Sequence, residues 1–409
     1  MSVTGNTTQR NRVSSVLIPL GMVVLVVGMS EAMAVPFLSL FLSTAVHAGP
    51  LQITVFLIAN PVAGVVVATL IGRLSDRRAI RRGLLMIAAV AGFAGSCVTA
   101  FVRDYGVLLA LTATASALSG SLFPQTFAYA RQVLTGDGSN RAVMGISTLR
   151  TIFSFAWVAG PPLATLLLHF GFGYLYGTNA VLYLAAGLVA LLWLRPIGAP
   201  ATIQETGANT VEGGEPGAGQ VVERERPRYE LPLTVVAFTL LQVPLTLGVQ
   251  ALPLFVSRDL GGKVTDAGLI LGLCAALEIP IMLTLGALSS RVNLRLLLFV
   301  GGACGIAYYS LAATTSGVPL LAAGQIVNAV FIAAISGLGI SYMQELLPRH
   351  PGRATTLFTN TVPIGAMLTG PLFGLSQHFG FRLAYTMGAA LCTAGLLLLV
   401  VSGSSARRT

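Results

Sequence analysis

Twelve long apolar segments constrain the fold of this chain more than any other feature of its sequence. They cover residues 16–42, 51–71, 83–102, 106–129, 143–168, 173–194, 231–256, 266–288, 295–314, 318–343, 354–377 and 381–402. A helix needs ~20 mostly apolar residues to cross a bilayer, so each segment is long enough to span a membrane. Only 9% of the residues are charged, against about a quarter in soluble domains. The sequence therefore predicts an all-α integral membrane protein with twelve transmembrane helices.

The distribution of basic residues predicts how these helices are oriented. If both termini are cytoplasmic, only Arg103, Arg258, Lys263 and Arg382 of the 24 lysines and arginines lie in outer loops, and Arg150 lies inside a helix. Cytoplasmic loops carry an excess of lysine and arginine. We therefore expect a multi-pass protein of the bacterial inner membrane with both termini in the cytoplasm. The net charge of +10 is spread over these loops, which favours contact with lipids over binding of nucleic acid.

The second half of the chain repeats parts of the first half. The string His-Phe-Gly-Phe stands at residues 169–172 and again at 378–381, and Gly-Pro stands at 160–161 and again at 370–371. Internal repeats of this kind are typical of transporters, in which two bundles enclose a site near the middle of the membrane.

The repeats and the composition together predict the domain organisation. We expect an N-terminal six-helix bundle over residues 1–195 and a C-terminal six-helix bundle over residues 230–409. The stretch between them, residues 196–229, is rich in Gly, Pro, Glu and Thr. Such a stretch cannot bury a core, so it is predicted to be a disordered cytoplasmic linker.

Three charged side chains, Glu31, Arg150 and Glu278, lie deep within the predicted helices. A charge at the bilayer centre costs at least ~2.5–3.5 kcal/mol, so such groups face a protein interior or a water-filled cavity. A carboxyl group that alternates between its charged and neutral forms can carry a proton. We therefore predict that Glu278 and Glu31 couple transport to protons and that Arg150 binds substrate. The alternative for each residue is a structural ion pair that holds helices in register.

Neutral polar side chains occur at similar depth. The amides are Gln125, Gln325, Asn328 and Asn360, and Trp157 is an aromatic residue in the same region. An amide offers donors and an acceptor, which suits a hydroxyl-rich ligand, and an aromatic face can stack on such a ligand. We predict all five as substrate-binding residues. The alternatives are hydrogen bonds between helices for the amides and ordinary packing for the tryptophan.

A basic loop follows the second segment, with Gly72, Asp76 and Arg77 at its start. The glycine permits close approach of helices, and the aspartate can cap a helix N-terminus. The arginines can bind anionic lipid headgroups. The alternative is a basic turn that only obeys the rule for orientation. The loop resembles the signature loop of the major facilitator superfamily.

More specific strings extend this resemblance over nearly the whole chain. The segments at 123–131, 156–164, 277–280 and 354–360 resemble bacterial sugar efflux transporters of that superfamily. The resemblance implies two pseudo-symmetric six-helix bundles, alternating access, export of mono- and disaccharides or their analogues, and proton antiport. It also places Arg150, Glu278 and Asn360 at matching motif positions. Finally, it implies that Gly72, Asp76 and Arg77 latch the bundles together on the cytoplasmic side.

Two other classes of function stay open at this point. Gly160-Pro161-Pro162, which we expect to interrupt the helical hydrogen bonds and permit close packing, also resembles the fifth-helix motif of multidrug/proton antiporters. The other alternative is a membrane sensor that does not transport. The sequence has no metal-ligand cluster or nucleophile arrangement that favours an enzyme. We therefore expect a monomer without metal or cofactor, whose partners are a small-molecule substrate, protons and membrane lipids.

Overall fold

The computed structural model describes residues 4–77, 80–135, 139–194 and 229–404, with side chains described over 17–75, 80–133, 145–194, 229–350 and 352–402. Within these residues the chain is almost entirely helical. The predicted linker 196–229 lies outside the described residues except for Tyr229.

The N-terminal half contains helices α1 to α9. Their bounds are Thr4–Ala34 (α1), Leu38–Thr44 (α2), Pro50–Arg77 (α3), Arg81–Phe101 (α4), Tyr105–Leu111 (α5), Ala117–Gly120 (α6), Leu122–Thr135 (α7), Ser139–Leu168 (α8) and Phe172–Leu192 (α9). A π-helical segment, Thr112–Ser116, joins α5 to α6.

The C-terminal half contains helices α10 to α16. Their bounds are Glu230–Leu254 (α10), Val264–Leu288 (α11), Leu294–Thr314 (α12), Val318–Ala323 (α13), Gln325–Leu346 (α14), Pro351–Phe379 (α15) and Arg382–Ser404 (α16). A second π-helical segment, Phe255–Asp259, follows α10.

The described residues form eleven helical spans that are long and apolar enough to cross a membrane. They correspond to eleven of the twelve predicted segments, and the all-helical architecture is confirmed. The remaining predicted segment corresponds to α15, which is not among these eleven. With 29 residues, α15 is ~44 Å long, which exceeds the ~30 Å of a hydrocarbon core.

The first predicted segment, 16–42, is not one helix. Helix α1 ends at Ala34, residues 35–37 form a turn, and α2 begins at Leu38. Pro36 lies in this turn and has no N–H to continue the helical hydrogen bonds. The helix is thus interrupted four residues after Glu31, close to the residues that form the site.

Helix α8 is continuous through both of its prolines, whereas the sequence predicted an interruption. Pro162 has no N–H to donate to the carbonyl of Val158. The oxygen of that carbonyl lies against Gly272 of α11, where a Cβ would come within 2.7 Å of it. Gly160 lies against Ala32 of α1, where a Cβ would come within 2.5 Å of the alanine Cβ. The segment therefore lets α8 pack closely on two helices without ending.

The repeated string of the two halves has a structural basis in two glycines. Gly171 stands one residue before α9 and Gly380 two residues before α16, with φ of 110° and 104°. L-side chains rarely adopt this region, so both positions need glycine. The internal repeat read from the sequence is therefore also a repeat of backbone conformation.

A second equivalence joins two arginines at the starts of α4 and α12. Arg82 donates a hydrogen bond to the carbonyl of Leu191 near the end of α9. Arg295 donates to the carbonyls of Leu399 and Val400 of α16, both at 3.0 Å. A cation near the last carbonyls of a helix also interacts favourably with the helix dipole. Each half thus joins its third and last long helices in the same way.

The two halves contact each other at the end of the molecule that carries Arg103, Arg258, Lys263 and Arg382, here called the arginine-poor end. There the Ser39 hydroxyl donates to the carbonyl of Gln250 at 2.6 Å, and Arg258 donates to the Ser43 hydroxyl at 2.7 Å. These bonds tie α2 to α10 and to the π-helical segment that follows it.

The same end holds the two main helix pairs between the halves, α3 with α15 and α8 with α11. Gly374 lies against Thr54, and Gly268 lies against Thr165, with no room for a Cβ at either glycine. Gly72 of α3 and Gly286 of α11 stand eighteen residues, or five helical turns, after Thr54 and Gly268, and so on the same helix faces toward the opposite, arginine-rich end. A Cβ at either of these glycines would meet no atom within 4 Å. Within the described residues, the halves are therefore joined at one end and separate toward the other.

Candidate functional site

A cavity of about 520 Å³ lies between the two halves. This volume is within the ~300–1,000 Å³ typical of small-molecule sites. The lining residues with hydrogen-bonding or aromatic groups include Trp157, Gln242, Glu278, Tyr308, Gln325 and Asn328. Helix α8 and Val35 supply the N-terminal wall, and α10, α11, α12, α14 and α15 supply the rest. We call this space the central cavity.

Two amides of α14 form a hydrogen-bonded chain at the cavity wall. The Gln325 Nε2 donates to the Tyr308 hydroxyl at 2.9 Å, and the Asn328 Nδ2 donates to the Gln325 Oε1 at 3.0 Å. These bonds fix the orientation of both amides. They leave the Asn328 Oδ1 as a buried acceptor without a partner in the described residues. A buried acceptor of this kind is suited to a ligand hydroxyl group or a water molecule.

Glu278 shares the central cavity with these amides. It lies one helical turn from Cys274 on α11, whose Sγ is 3.5 Å from the Asn328 Nδ2. The side chain of Glu278 is partly buried, and the structure records no ion pair between it and Arg150. The described residues contain no group of His, Cys, Asp and Glu that could hold a metal ion. The arrangement therefore offers one carboxyl group beside hydrogen-bonding amides.

Arg150 lies toward the arginine-rich end of α8. It precedes Trp157 by seven residues, or two helical turns, so the two side chains share a face and stand ~10 Å apart along the helix. The Arg150 side chain is exposed. It therefore lies on the cavity side of α8 but outside the lining of the central cavity.

The structure does not bring Gln125 and Asn360 into the central cavity. Gln125 is 5% exposed and has no partner for its Oε1 in the described part of the chain. It lies two residues from Phe123, whose ring contacts Phe153, and so points to the other side of α7. Asn360 is exposed on the face of α15 that carries the exposed Ile364, about 160° around the helix from cavity-lining Val362.

Glu31 lies in a different cavity. This cavity, of about 240 Å³, is inside the N-terminal half among α1, α3, α4, α9 and the helices from α5 to α6. Its polar lining includes Ser30, Asn60, Ser96, Ser119, Asn179 and Tyr183. We call it the N-half chamber. The linings of the chamber and of the central cavity have Val35 in common.

The predicted latch is only partly described. A Cβ at Gly72 would meet no atom within 4 Å, so this glycine makes no close helix contact in this conformation. The side chains of Asp76 and Arg77 lie outside the described residues. Among the nearby arginines, Arg81 donates to the carbonyl of Ala128 at 2.8 Å, which ties α4 to α7.

Sequence reasoning missed several polar residues of the two cavities. It omitted Gln242 and Cys274 of the central cavity, and Ser96 and Asn179 of the chamber. Tyr308 of α12 also belongs to the site, because its hydroxyl accepts a hydrogen bond from the Gln325 amide. Comparison of the two halves residue by residue would have singled out Asn179, because a glycine stands at the matching place of α16.

Comparisons with known proteins agree on one family. The model of the Major Facilitator Superfamily matches residues 20–316 and 234–408 of the chain. A putative sugar efflux transporter of Deinococcus radiodurans is 36% identical over 384 residues, which cover 93% of this chain and 96% of the relative. Sugar efflux transporter A of Dickeya chrysanthemi is 35% identical, covering 89% and 91%. Sugar efflux transporter A of Escherichia coli K12 is 30% identical, covering 96% and 97%.

Solved transporter structures share the fold. The nucleoside transporter NupG aligns with a TM-score of 0.74 at 15% identity and covers 95% of this chain and 98% of its own. A bacterial homologue of the human lysosomal transporter Spinster aligns with a TM-score of 0.71 at 14% identity, with 97% of each chain covered. At these identities the likeness concerns the fold alone.

Proposed function

Because the chain belongs to the Major Facilitator Superfamily and to its sugar efflux transporters, we propose that it exports sugars or sugar-like solutes through its central cavity. It is a multi-pass membrane transporter and not an enzyme. In this proposal it works as a monomer in the bacterial inner membrane, with both termini in the cytoplasm.

The observation that carries this proposal is the amide-lined wall of the central cavity. Gln325 and Asn328 are held in place by their mutual hydrogen bond, and the Asn328 Oδ1 keeps an unused acceptor. Sugar hydroxyls both donate and accept hydrogen bonds, which matches amides better than it matches a purely apolar wall. Trp157 offers an aromatic face across the cavity, on which the apolar face of a sugar ring can stack.

The way the halves are joined supports alternating access as the transport mechanism. The halves are in contact at the arginine-poor end, and a Cβ at Gly72 or Gly286 would meet no neighbouring atom toward the arginine-rich end. With the arginine-rich end in the cytoplasm, this is the state that takes up a cytoplasmic solute. Arg150, exposed on the cavity side of α8, would meet the sugar on its way to Trp157. Closure at the arginine-rich end, where we place the latch of Gly72, Asp76 and Arg77, would then open the other end.

Proton antiport is the proposed source of energy. Glu278 lies beside Asn328 and Cys274, where sugar hydroxyls can compete for the same hydrogen-bonding groups. A carboxyl group in this place can hold either a proton or a hydrogen bond from the sugar. Binding of one would then release the other, which is the linkage that an antiporter needs.

The test is flux in inside-out vesicles that contain the purified protein. A panel of labelled mono- and disaccharides is added, with and without an acidic lumen, and protein-free vesicles serve as the control. We expect accumulation of at least one sugar only with the pH gradient. Tight binding without flux would instead identify a sensor.

A multidrug antiporter is the second candidate. The central cavity also has aliphatic walls, which include Leu245, Val249, Leu252 and Ile332. Such walls suit lipophilic solutes. A lipophilic cation added to the same vesicles separates the two functions, because a sugar transporter accumulates the sugar and not the cation.

A further inference from the structure

The interiors of the two halves are filled in different ways. In the C-terminal half the Tyr309 ring occupies the centre, and its hydroxyl donates to the carbonyl of Pro244. Two glycines make room for this ring. A Cβ at Gly248 would come within 2.7 Å of the Tyr309 hydroxyl, and a Cβ at Gly388 would come within 2.5 Å of the ring. We call this tyrosine with its two glycines the C-half plug.

The internal repeat gives the matching residues of the N-terminal half. Ser96 and Tyr309 each stand fifteen residues after the first residue of α4 and α12, two helices of 21 residues each. Helix α4 therefore has a serine where α12 has the tyrosine of the plug. A small side chain at the centre leaves space unfilled.

The two glycines of the plug also have counterparts. Glu31 and Gly248 each stand five residues before a proline that lies at or near the end of the first helix of its half. Asn179 and Gly388 each stand eight residues after the glycine that precedes α9 or α16. A carboxylate and an amide thus replace the two glycines, and a serine replaces the tyrosine. All three of these N-half residues line the chamber.

The chamber holds polar atoms that lack partners. Within the described residues, the Ser30 hydroxyl, the Asn179 Oδ1 and the Tyr176 hydroxyl are buried and form no hydrogen bond. Ser30 is 1% exposed and Asn179 is 2% exposed. Leaving such a group unsatisfied costs ~1–3 kcal/mol, and ordered water is the usual remedy. A cavity of about 240 Å³ has room for several ordered water molecules.

Few charged or titratable groups face Glu31 in this space. Helix α9 contributes the phenols of Tyr183 and Tyr176. At the arginine-poor end, Arg103 stands 5.2 Å from the centre of the Phe41 ring, which lines the chamber. The guanidinium donates to backbone carbonyls of α4 and of the residue that follows it. Glu31 is therefore the only carboxyl group among the described residues that line the chamber.

We propose that the N-half chamber is a hydrated site for a proton, separate from the sugar, in which Glu31 accepts the proton from water. The step is a transfer from a hydronium ion to a carboxylate oxygen, which leaves a neutral carboxyl group and a water molecule. The claim that this site adds a second coupled proton to that of Glu278 rests on the proposed function. The claim that Glu31 binds a proton in the chamber does not depend on that function.

Val35 is the connection between the chamber and the central cavity. It lines both spaces and lies in the turn between α1 and α2, where the helix is already broken. A rearrangement of this turn during the transport cycle would open or close a path for protons between the two spaces. Glu31 would then load from one side of the membrane and unload to the other.

The first test counts protons. Sugar accumulation in inside-out vesicles is measured against the imposed pH difference, with the membrane potential held at zero. We expect the slope of log accumulation against pH difference to fall by one proton in Glu31→Gln, with the sugar dissociation constant unchanged. An unchanged slope, or a weakened affinity for sugar, would overturn the proposal.

The second test does not depend on transport. Infrared difference spectra of the purified protein, recorded between acidic and basic buffers, report the carbonyl band of neutral carboxyl groups. In the wild-type protein, we expect one such band that does not move when saturating sugar is added. We expect this band to be absent in Glu31→Gln. Absence of that band in the wild type, its shift by sugar, or its loss on addition of Na⁺ at fixed pH would each contradict a separate proton site. If the wild-type protein transports no sugar but this band titrates, the proposed function is wrong and the proposal of a proton site in the chamber is supported.

A third variant copies the C-half plug into the N-terminal half. Glu31→Gly, Ser96→Tyr and Asn179→Gly together place a tyrosine ring and its two glycines in the chamber. We expect the plugged protein to bind sugar and to lack the infrared band. We also expect its slope of log accumulation against pH difference to be lower by one proton per sugar. A plugged protein with the wild-type slope would sink the proposal. If the plugged protein does not fold, the slope and band of Glu31→Gln decide the question.

Discussion

The Thr54 hydroxyl of α3 donates a hydrogen bond to the carbonyl of Gly370 in α15, at 3.2 Å and across the two halves. The same hydroxyl lies 2.9 Å from the carbonyl of Pro50, one turn earlier in α3. A threonine that bonds its own helix is held in one rotamer and presents a fixed surface to its neighbour. The contact between α3 and α15 at the arginine-poor end is therefore a defined fit.

Closure at the arginine-poor end should be sensitive to the size of residue 374. A Cβ at Gly374 would collide with Thr54 and come within 3.3 Å of the Pro50 carbonyl, so Gly374→Leu should force α3 and α15 apart there. We expect longer distances between spin labels at Leu51 and Leu375, both exposed at this end. Gly286→Leu is the matched control, because a Cβ at that glycine meets no atom within 4 Å. Equal distances in the two variants would contradict the fit.

Sugar affinity should depend on Asn328. Asn328→Leu removes the donor to the Gln325 Oε1 and the free acceptor at the cavity wall. Leaving a buried partner unsatisfied costs ~1–3 kcal/mol, which corresponds to a dissociation constant raised roughly 5- to 150-fold. Equilibrium binding of labelled sugar to purified protein measures this change.

Asn360→Leu provides the comparison for that experiment. The sequence predicts that Asn360 binds substrate, but the structure places it on an exposed face away from Val362 and the central cavity. A much smaller loss of affinity in Asn360→Leu than in Asn328→Leu would support the structural placement. A loss as large as that of Asn328→Leu would favour the sequence-based prediction and a different orientation of α15 in the sugar-bound state.

Arg82 should contribute to stability and not to sugar binding. Its bonds to the carbonyls of Ala190 and Leu191 join α4 to the end of α9. Charged hydrogen bonds contribute ~1.5–3 kcal/mol, and partial exposure reduces this to about 1 kcal/mol. We expect Arg82→Gln to lower the thermal midpoint in detergent, whereas Arg73→Gln, at an exposed position of α3, should leave it unchanged. Equal midpoints for the two variants would show that the hydrogen bonds of Arg82 do not stabilise the fold.

Helix positions could be predicted because each one depends on a local property of the sequence. Runs of ~20 apolar residues fix where helices cross the membrane, and the glycines at 171 and 380 mark equivalent boundaries. The break after Ala34 depends on a single proline in a turn, and the continuity of α8 depends on packing against Ala32 and Gly272. Whether a helix ends or continues at a proline depends on the residues that pack around it, and runs of apolar residues in the sequence do not reveal that packing.

Depth in the membrane could be predicted for the polar residues, but direction could not. Glu278, Gln325, Asn328 and Trp157 share a depth and also a cavity. Glu31 has comparable depth but faces the interior of its own half. The face of a helix that meets the central cavity depends on which helices pack on its other sides, and this information is spread over both halves.

The role of Glu278 gives the last prediction. Glu278→Gln should lower the slope of log sugar accumulation against pH difference by one proton per sugar, yet preserve sugar binding and downhill exchange between the two sides. Glutamine has nearly the shape of a neutral glutamic acid and keeps an acceptor and donors toward Asn328 and Cys274, but it cannot exchange a proton. Counterflow of labelled sugar without a gradient measures exchange, and uptake with an acidic lumen measures accumulation. Glu345→Gln, an exposed carboxylate near the end of α14, is the matched control and should accumulate sugar as the wild type does. If Glu278→Gln keeps the wild-type slope while Glu31→Gln no longer accumulates sugar, Glu278 is structural and the coupling proton belongs to the chamber alone.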